Sequence, residues 1–359
     1  MTESLPVVLE LSPGLGGGGA ERALIDRIQP GRPWSDAFQS ALWLTRPNEL
    51  RLIGEAPSGS IQGACNPLNP FGVMRLLRKV RRLNPALTIV HSATDAILVL
   101  SLSALRLWRS PVVVIVHNQY TRGFYAALLR CVNRYAQMHI AVSAMAAKGD
   151  QVRGVDVVAT HVLGTWAPTI DVNRSVSESL RLLFVGRLVE SKNPVLMAEA
   201  VCIVNSQVGF RAVTLTIAGT GPLEEVIRGV IDNNDKFDAI NFVGFVNNVP
   251  ELLVQHDVLT LPSSGAEGLP LVVMEALVLG TAVLVTERTG VDALSIPRES
   301  IRILDSLALK TELVSEVFSM LASRQAIADD SDLLKQDFQW LRGESRDAVL
   351  VATLKHLIV

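Results

Sequence analysis

The segment LPSSGAEGLPLVVMEALVLG, residues 261–280, contains two carboxylates placed on either side of a proline. Proline is tolerated in the first turn of a helix, where its missing N–H has no partner to lose. The spacing therefore predicts Glu267 in the loop ahead of a helix beginning near Pro270, and Glu275 inside that helix. A helix N-terminus attracts phosphate, and carboxylates accept hydrogen bonds from sugar hydroxyls. Upstream, LLFVGRLVESKNPVLMAEA puts Arg187 just past a strand end and Lys192 just before a helix opened by Pro194. Two cations at the carboxyl edge of a parallel sheet suit a diphosphate leaving group.

Further along, LTIAGTGPLEEV places Gly219 and Gly221 at the next strand end, and INFVGFVNNVPELL places Gly244 and Phe245 at the one after. Successive strand ends then line an edge pocket of nucleotide size. Near the start, VVLELSPGLGGGGAERAL contains G-x-G-x-x-G at Gly14, Gly16 and Gly19. A dinucleotide fold needs an acidic residue at the end of the second strand. Here that strand runs into Leu44-Thr45-Arg46-Pro47, without a carboxylate. The glycines instead allow backbone N–H groups to approach an anion at the start of a helix near Ala20.

These groups must be held by alternating strands and helices. In the front half, strands are predicted at 7–11, 39–44, 88–91, 112–117 and 139–142, with helices at 20–28, 70–83, 95–107, 123–136 and 144–151. Residues 164–180 lack periodicity and contain Pro, Gly, Ser and Asn, as a linker would. The pattern then restarts, with strands at 181–185, 214–218, 241–243, 258–261 and 282–285 and helices beginning near Pro194, Pro222, Val249, Pro270 and Asp305. Two doubly wound α/β domains in tandem account for this order.

The 359 residues carry a formal net charge of −2, which gives no reason to expect a nucleic-acid partner. The charge is divided unevenly: residues 1–170 hold 17 Lys+Arg and 10 Asp+Glu, a net +7, whereas the remainder is −9. Cys65, Cys131 and Cys202 lack metal-site or redox-pair spacing and are expected as reduced, buried thiols. No export signal is read at the N-terminus, and the apolar stretch 96–105 is too short to span a bilayer, which needs about 20 residues. The expected location is cytoplasmic, soluble or peripheral on the inner face of the cytoplasmic membrane.

The series Arg187…Lys192, AGTGPL, FVGFVNNVPELL and Glu267-GLPLVVM-Glu275 resembles the retaining GT-B glycosyltransferases of family four, the glycosyl transferases group 1. GGGGAER, Val116-His117-Asn118 and Val142-Ser143 are similar to that family's N-terminal domain. The resemblance implies two Rossmann-like domains facing a central cleft: an acceptor-side domain over 1–165, a linker over 166–180, a nucleotide-sugar domain over 181–338, and a C-terminal helix over 339–359 packing back on the first domain. It implies a retaining hexosyltransferase that uses a UDP- or GDP-linked sugar and a glycan or lipid-linked acceptor. The setting it implies is the biosynthesis of cell-surface polysaccharide such as O-antigen, capsule or exopolysaccharide, lipopolysaccharide included.

By the same resemblance, Arg187 and Lys192 bind the diphosphate, Glu267 the donor-sugar hydroxyls and Glu275 the ribose. Backbone around Gly268, Leu269 and Pro270 holds sugar and phosphate. Gly219 and Gly221 belong to the donor site, Gly244 and Phe245 to the base. Gly17 and Gly18 face the diphosphate or acceptor across the cleft, and His117 lies beside the transferred sugar. The departing phosphate takes the acceptor's proton in the front-face mechanism the resemblance implies, which requires no side-chain nucleophile; double displacement with Glu267 as nucleophile is the alternative. No cofactor is expected, no Asp-x-Asp element stands where a metal site needs it, and metal-independent transfer is expected. Two other functions share these residues: a GT-B sugar-nucleotide epimerase and a non-catalytic nucleotide-sugar-binding subunit.

Several residues have plainer readings. His91 is taken as structural, and Trp108, Trp166 and Trp340 as packing residues. In FGVMRLLRKVRRLNPAL, residues 71–87, Phe71, Met74, Leu77 and Val80 share a helix face among Arg75, Arg78, Lys79, Arg81 and Arg82. That apolar face is expected to cover the sheet, leaving the cations to touch an anionic membrane without insertion.

Overall fold

The computed structural model describes residues 4–15, 18–46, 53–66, 68–117, 123–148, 157–160, 167–170, 177–294 and 300–358. The chain forms two compact units, Met1–Trp166 together with Leu341–Val359, and Ala167–Trp340. The first contains β1 (Val7–Ser12), α1 (Gly19–Arg27), α2 (Pro33–Ala37), β2 (Gln39–Leu44), β3 (Ile61–Ala64), α3 (Pro70–Leu83), β4 (Leu87–Val90), α4 (Ala93–Ala104), β5 (Val112–Val116), α5 (Phe124–Val132), β6 (Met138–Ala141), α6 (Ala144–Ala147) and β7 (Val157–Thr160). The second contains β8 (Leu180–Val185), α7 (Pro194–Val208), β9 (Val213–Ala218), α8 (Glu224–Asn234), β10 (Ile240–Gly244), α9 (Val249–Gln255), β11 (Val258–Leu261), α10 (Leu271–Val278), β12 (Ala282–Thr286), β13 (Ile301–Leu304), α11 (Leu309–Ala322), α12 (Arg324–Asp329) and α13 (Ser331–Phe338). The last helix, α14 (Gly343–Lys355), returns to the first unit and packs against α2.

Both sheets are parallel, in the orders β3-β2-β1-β4-β5-β6-β7 and β10-β9-β8-β11-β12-β13. The central strands are continuous apolar runs because helices cover both faces; Val112–Val116 is buried at every position. In each sheet the order reverses beside the first strand, between β1 and β4 and between β8 and β11. Loops leaving the carboxyl ends of such a pair diverge to opposite sides and open a crevice, the usual ligand position in doubly wound sheets.

Strands β3, β7 and β13 and the short helix α2 extend the sequence expectation. β3 is IQGA and β13 is IRIL, only four residues each, with alternation too brief to stand out. Helix α10 starts at Leu271, with Pro270 as its N-cap in extended conformation rather than in the first turn. Cys131 is exposed, contrary to the expectation of a buried thiol, because it lies on the outer side of α5; Cys65 and Cys202 are buried. Trp108 is buried as expected, whereas Trp340 is 37% exposed and Trp166 falls outside the described residues. The large indoles in the first core are instead Trp34 and Trp43.

The expected sheet-facing stripe of α3 also needs correction. Its buried residues are Gly72, Leu76, Leu77 and Val80. Phe71 is 84% exposed and Met74 50%, and Leu68, just before the helix, is 89% exposed. Gly72 explains the shift: a Cβ there would lie 2.8 Å from the Cys65 Cβ, so the first turn contacts the sheet edge through glycine and rotates Phe71 outward.

Candidate functional site

In the second unit the crevice between β8 and β11 is bordered by residues 186–193 and 262–270. The first loop ends in a 3-10 turn, Glu190–Lys192, and Asn193 takes a left-handed conformation with φ 52° before α7 begins. Asn193 donates through Nδ2 to the carbonyl of Pro262 at 2.7 Å, and Ser264 N donates to Ser191 O at 2.9 Å. These bonds cross from one loop to the other and set their spacing. Glu267 is fixed from the third side, where its N–H donates to the Arg288 carbonyl at 2.7 Å.

The result brings two expected site residues together. Lys192 Nζ lies 2.7 Å from Glu267 Oε1, with side chains 14% and 23% exposed. Arg187 is exposed on the same β8 loop. Gly268 and Leu269 are buried beneath the loop, and Glu275 is half-buried on α10. A carboxylate and an ammonium thus neutralise each other at a partly open crevice. A polyhydroxylated anion can exchange that contact for its own, with its phosphate on the lysine and its hydroxyls on the glutamate.

The glycines have separate duties. A Cβ on Gly219, whose φ is 147°, would lie 1.8 Å from Gly186 O, and one on Gly221 would lie 2.5 Å from Leu188 O. The turn after β9 therefore lies directly against the residues flanking Arg187, and Leu188 N donates to Thr220 O at 3.0 Å. Gly221 N is taken by Glu224 Oε1 at 3.0 Å. These two glycines position the Arg187 loop by close backbone approach. Gly244, at φ 70°, ends β10 with open space around it and presents Phe245, 46% exposed, to the surface.

In the first unit the matching crevice, between β1 and β4, holds a cavity of about 180 Å³ lined by Ser12, Pro13, Ala20, Glu21, Leu24, His91, Ser92 and His117. Gly18 is the N-cap of α1 beside it in sequence, while Gly17 lies outside the described residues. Behind the cavity runs a chain of polar side chains. Arg27 Nη2 donates to Glu10 Oε2 at 2.7 Å, His91 Nε2 lies 2.9 Å from that same oxygen, and His91 Nδ1 lies 3.0 Å from His117 Nε2. Burial pushes the Glu10 carboxyl up, but Arg27 and His91 more than reverse this, leaving it below the ordinary value. Burial, with His91 and Arg27 adding to it, pushes His117 down to about 3, so its ring is neutral.

His91 is thus part of a connected group rather than a lone packing residue. Glu10 was not singled out from sequence, although a carboxylate inside VVLELS, an apolar run of a central strand, is itself a signal. Asp347 was also missed. It lies on α14, 2% exposed, and burial pushes its carboxyl up to about 6 against the pull of Arg27.

Comparison with known proteins bears on both units. The family model of Glycosyl transferases group 1 matches residues 179–315. The amylovoran biosynthesis glycosyltransferase AmsK of Erwinia amylovora is 33% identical over 127 residues, covering 33% of this chain and 31% of the relative. The putative colanic acid biosynthesis glycosyltransferase WcaL of Salmonella typhimurium is 33% identical over 123 residues, 32% of this chain and 30% of that protein. The chain therefore matches less than a third of the length of these relatives. Among solved structures, Anabaena HepE in complex with UDP-glucose superposes with a TM-score of 0.79 at 18% identity, covering 98% of this chain and 99% of that one. The shared fold is GT-B, two Rossmann-like units in one chain.

Proposed function

We propose that this chain, whose residues 179–315 match the family model of Glycosyl transferases group 1, transfers a sugar from a nucleoside diphosphate to a growing cell-surface polysaccharide or its lipid-linked precursor, with retention at the anomeric carbon. The observation that carries this reading is the Lys192–Glu267 pair at 2.7 Å where the second sheet reverses. Arg187 and Lys192 would bind the diphosphate, and Glu267 the hydroxyls of the donor sugar. Glu275 would hold the ribose, Gly244 and Phe245 the base, and the backbone of residues 268–270 sugar and phosphate. His117 would approach the transferred sugar.

As the anomeric C–O bond breaks, negative charge grows on the diphosphate, and cations fixed nearby stabilise that state more than the ground state. The departing phosphate would accept the proton of the attacking hydroxyl, so neither a side-chain nucleophile nor a metal is part of this proposal. HepE was solved with UDP-glucose, which makes UDP-hexoses the first donors to test, and the named relatives are glycosyltransferases of amylovoran and, putatively, colanic acid biosynthesis. Thermal denaturation with UDP, GDP and their sugar conjugates would identify the donor, because a ligand at about 100 times its Kd adds about 2.7 kcal/mol. Incubation of that sugar nucleotide without acceptor then separates functions. Its unchanged recovery, with nucleoside diphosphate released only when a glycan or lipid-linked acceptor is added, supports transfer. A new sugar nucleotide marks an epimerase, and binding without turnover marks a non-catalytic subunit.

The acceptor reading includes an anionic membrane surface. Among the described residues no helix is long and apolar enough to cross a bilayer. Instead α3 carries Arg75, Arg78, Arg81 and Arg82 on its exposed side, without an acidic residue. Each cation near anionic lipid contributes about 1 kcal/mol. The outward turn of Leu68, Phe71 and Met74 adds an apolar contact at the level of the headgroups, in place of the purely electrostatic contact expected from sequence. Co-sedimentation should depend on phosphatidylglycerol in the vesicles and fall for Phe71→Asp. Equal partition to neutral vesicles would remove this part of the proposal.

A further inference from the structure

The loop that carries Glu267 has few bonds of its own. Its front is tied to the loop after β8 through Asn193 and Ser191. Among the described residues, the next backbone N–H with a protein acceptor after that of Gly265 belongs to Glu267, and the one after it to Val273, inside α10. Besides the ion pair with Lys192, Glu267 is thus held by one acceptor, the carbonyl of Arg288 at 2.7 Å. That carbonyl belongs to the 3-10 turn Glu287–Thr289, which follows β12.

The turn is closed on two sides. Toward the sheet, Thr289 Oγ1 donates to Thr286 O at 2.6 Å and Thr286 Oγ1 donates to Ser263 O at 2.6 Å, and both threonines are fully buried. On the outer side Glu287 accepts twice from Ser306, whose N–H donates to Oε2 at 2.8 Å and whose Oγ donates to Oε1 at 2.5 Å. Arg288 Nε donates to Ser306 Oγ at 3.1 Å and lies 3.1 Å from Glu287 Oε1. Ser306 stands two residues past β13, an edge strand paired with β12. Two loops leaving adjacent strands are clasped together through one carboxylate. Stability does not account for this clasp. The Glu287 and Arg288 side chains are 39% and 41% exposed, and an ion pair so open to water contributes little to folding.

We propose that Glu287 and Ser306 are positioning residues for Glu267: their clasp fixes the 3-10 turn so that the Arg288 carbonyl holds the Glu267 N–H, and the carboxylate stays beside Lys192, ready for the hydroxyls of a donor sugar. The sugar contact rests on the glycosyl-transfer reading; the anchoring of the loop does not. A carboxylate fixed before the ligand arrives does not have to be ordered by it, and a misplacement of about 1 Å can cost about 10²-fold in rate. The clasp is therefore expected to act on turnover of the sugar conjugate rather than on the grip of the diphosphate, for which Arg187 and Lys192 are proposed.

The test is hydrogen exchange on the full chain, read at the Glu267 amide by mass spectrometry with electron-transfer fragmentation. Glu287→Ala should speed exchange there about tenfold or more and leave the amides of β11 at the parent rate. Glu287→Gln can still accept from the Ser306 N–H and donate to its hydroxyl, and it should restore most of the protection. Unchanged exchange at Glu267 in Glu287→Ala overturns the proposal, and so does equal acceleration throughout β11, which marks general loosening. Should Glu287→Ala not fold, Ser306→Ala, which deletes the hydroxyl and keeps the N–H, decides by the same readout. With a donor identified, Glu287→Ala should lower kcat about tenfold or more while the Kd for the bare nucleoside diphosphate rises less than about threefold, and Glu287→Gln should recover most of the rate. Adding Arg288→Ala to Glu287→Ala keeps the carbonyl and deletes the released guanidinium, so the loss should persist; recovery would assign the effect to that guanidinium and overturn the proposal. Faster exchange with full turnover would overturn the positioning role. A parent protein that binds no sugar nucleotide would refute the glycosyl-transfer reading alone, and the exchange rates would still decide the clasp.

Discussion

Lys192 Nζ and Glu267 Oε1 stand 2.7 Å apart, tying the loop after β8 to the loop after β11 at the point where the second sheet reverses. Both side chains are mostly buried, and each satisfies the other's charge. Removing one partner therefore has two consequences, loss of the ligand contact proposed for it and an uncompensated charge at the crevice. Lys192→Ala should lower turnover by about 10²–10³, the usual cost of deleting a group that stabilises developing charge. Glu267→Gln keeps the shape and removes only the charge. It should weaken the sugar conjugate relative to the bare nucleoside diphosphate, which calorimetry with both ligands would measure. Equal losses for the two ligands would move Glu267 away from the sugar.

Gly219 makes the neighbouring turn possible. Its φ of 147° is unfavourable for any L side chain, and an added Cβ would collide with the Gly186 carbonyl at 1.8 Å. Gly219→Ala should destabilise the fold by about 2–4 kcal/mol, because the obstructing atom is backbone and cannot swing away. Gly244→Ala shares the positive φ, 70°, but meets nothing within 4 Å. It should cost only about 1 kcal/mol. Urea denaturation of the two variants should preserve this order.

Asp347 makes stability depend on pH in an unusual direction. Burial raises its pKa to about 6, well above the unfolded value, so between pH 4 and 6 the native chain holds a proton that the unfolded chain has released. This contribution is fully present below about pH 4 and is lost as pH rises through 6. Asp347→Asn should therefore gain on the order of 2 kcal/mol near pH 7 and little at pH 4. Urea titrations of both proteins at pH 4.5 and 7.5 would measure the difference. A gain that is the same at both values would place the cause elsewhere than in ionisation.

Much of the fold could be read from the chain, and the limits have physical causes. Strands such as 112–116 and 258–261 are apolar, β-branched runs between turn residues, and these signals survive without tertiary information. β13 has only four residues and takes its pairing from β12 alone, so its identity comes from the neighbour. The pairing of Lys192 with Glu267 follows from strand order, which periodicity does not reveal. The glycines at 219 and 221 were legible as a turn, but their closeness to Gly186 and Leu188 was not. Glu10, His91 and His117 lie far apart in sequence and join only when β1, β4 and β5 are laid side by side. Phe71 shows the opposite failure, since helical period placed it on the apolar face with Leu77 and Val80, which are buried, whereas the first turn meets the sheet edge through Gly72 and leaves Phe71 exposed.

Gly18 gives the last test, and its backbone makes the test clean. It caps α1 in an extended conformation, φ −71° and ψ 162°, which any residue can adopt. An added Cβ would meet the Glu21 carboxylate at 2.4 Å, the far end of a flexible side chain that can rotate aside. Gly18→Val should therefore leave stability within about 1 kcal/mol of the parent, since nothing buried has to move. The glycine-rich loop is proposed to approach a diphosphate or acceptor through its backbone N–H groups, which a branched side chain would hold off. Turnover should then fall about tenfold or more while the Kd for the nucleoside diphosphate, whose site is proposed in the second unit, changes by less than about threefold. Unchanged turnover in a stably folded Gly18→Val would reduce this glycine run to a strand-to-helix turn.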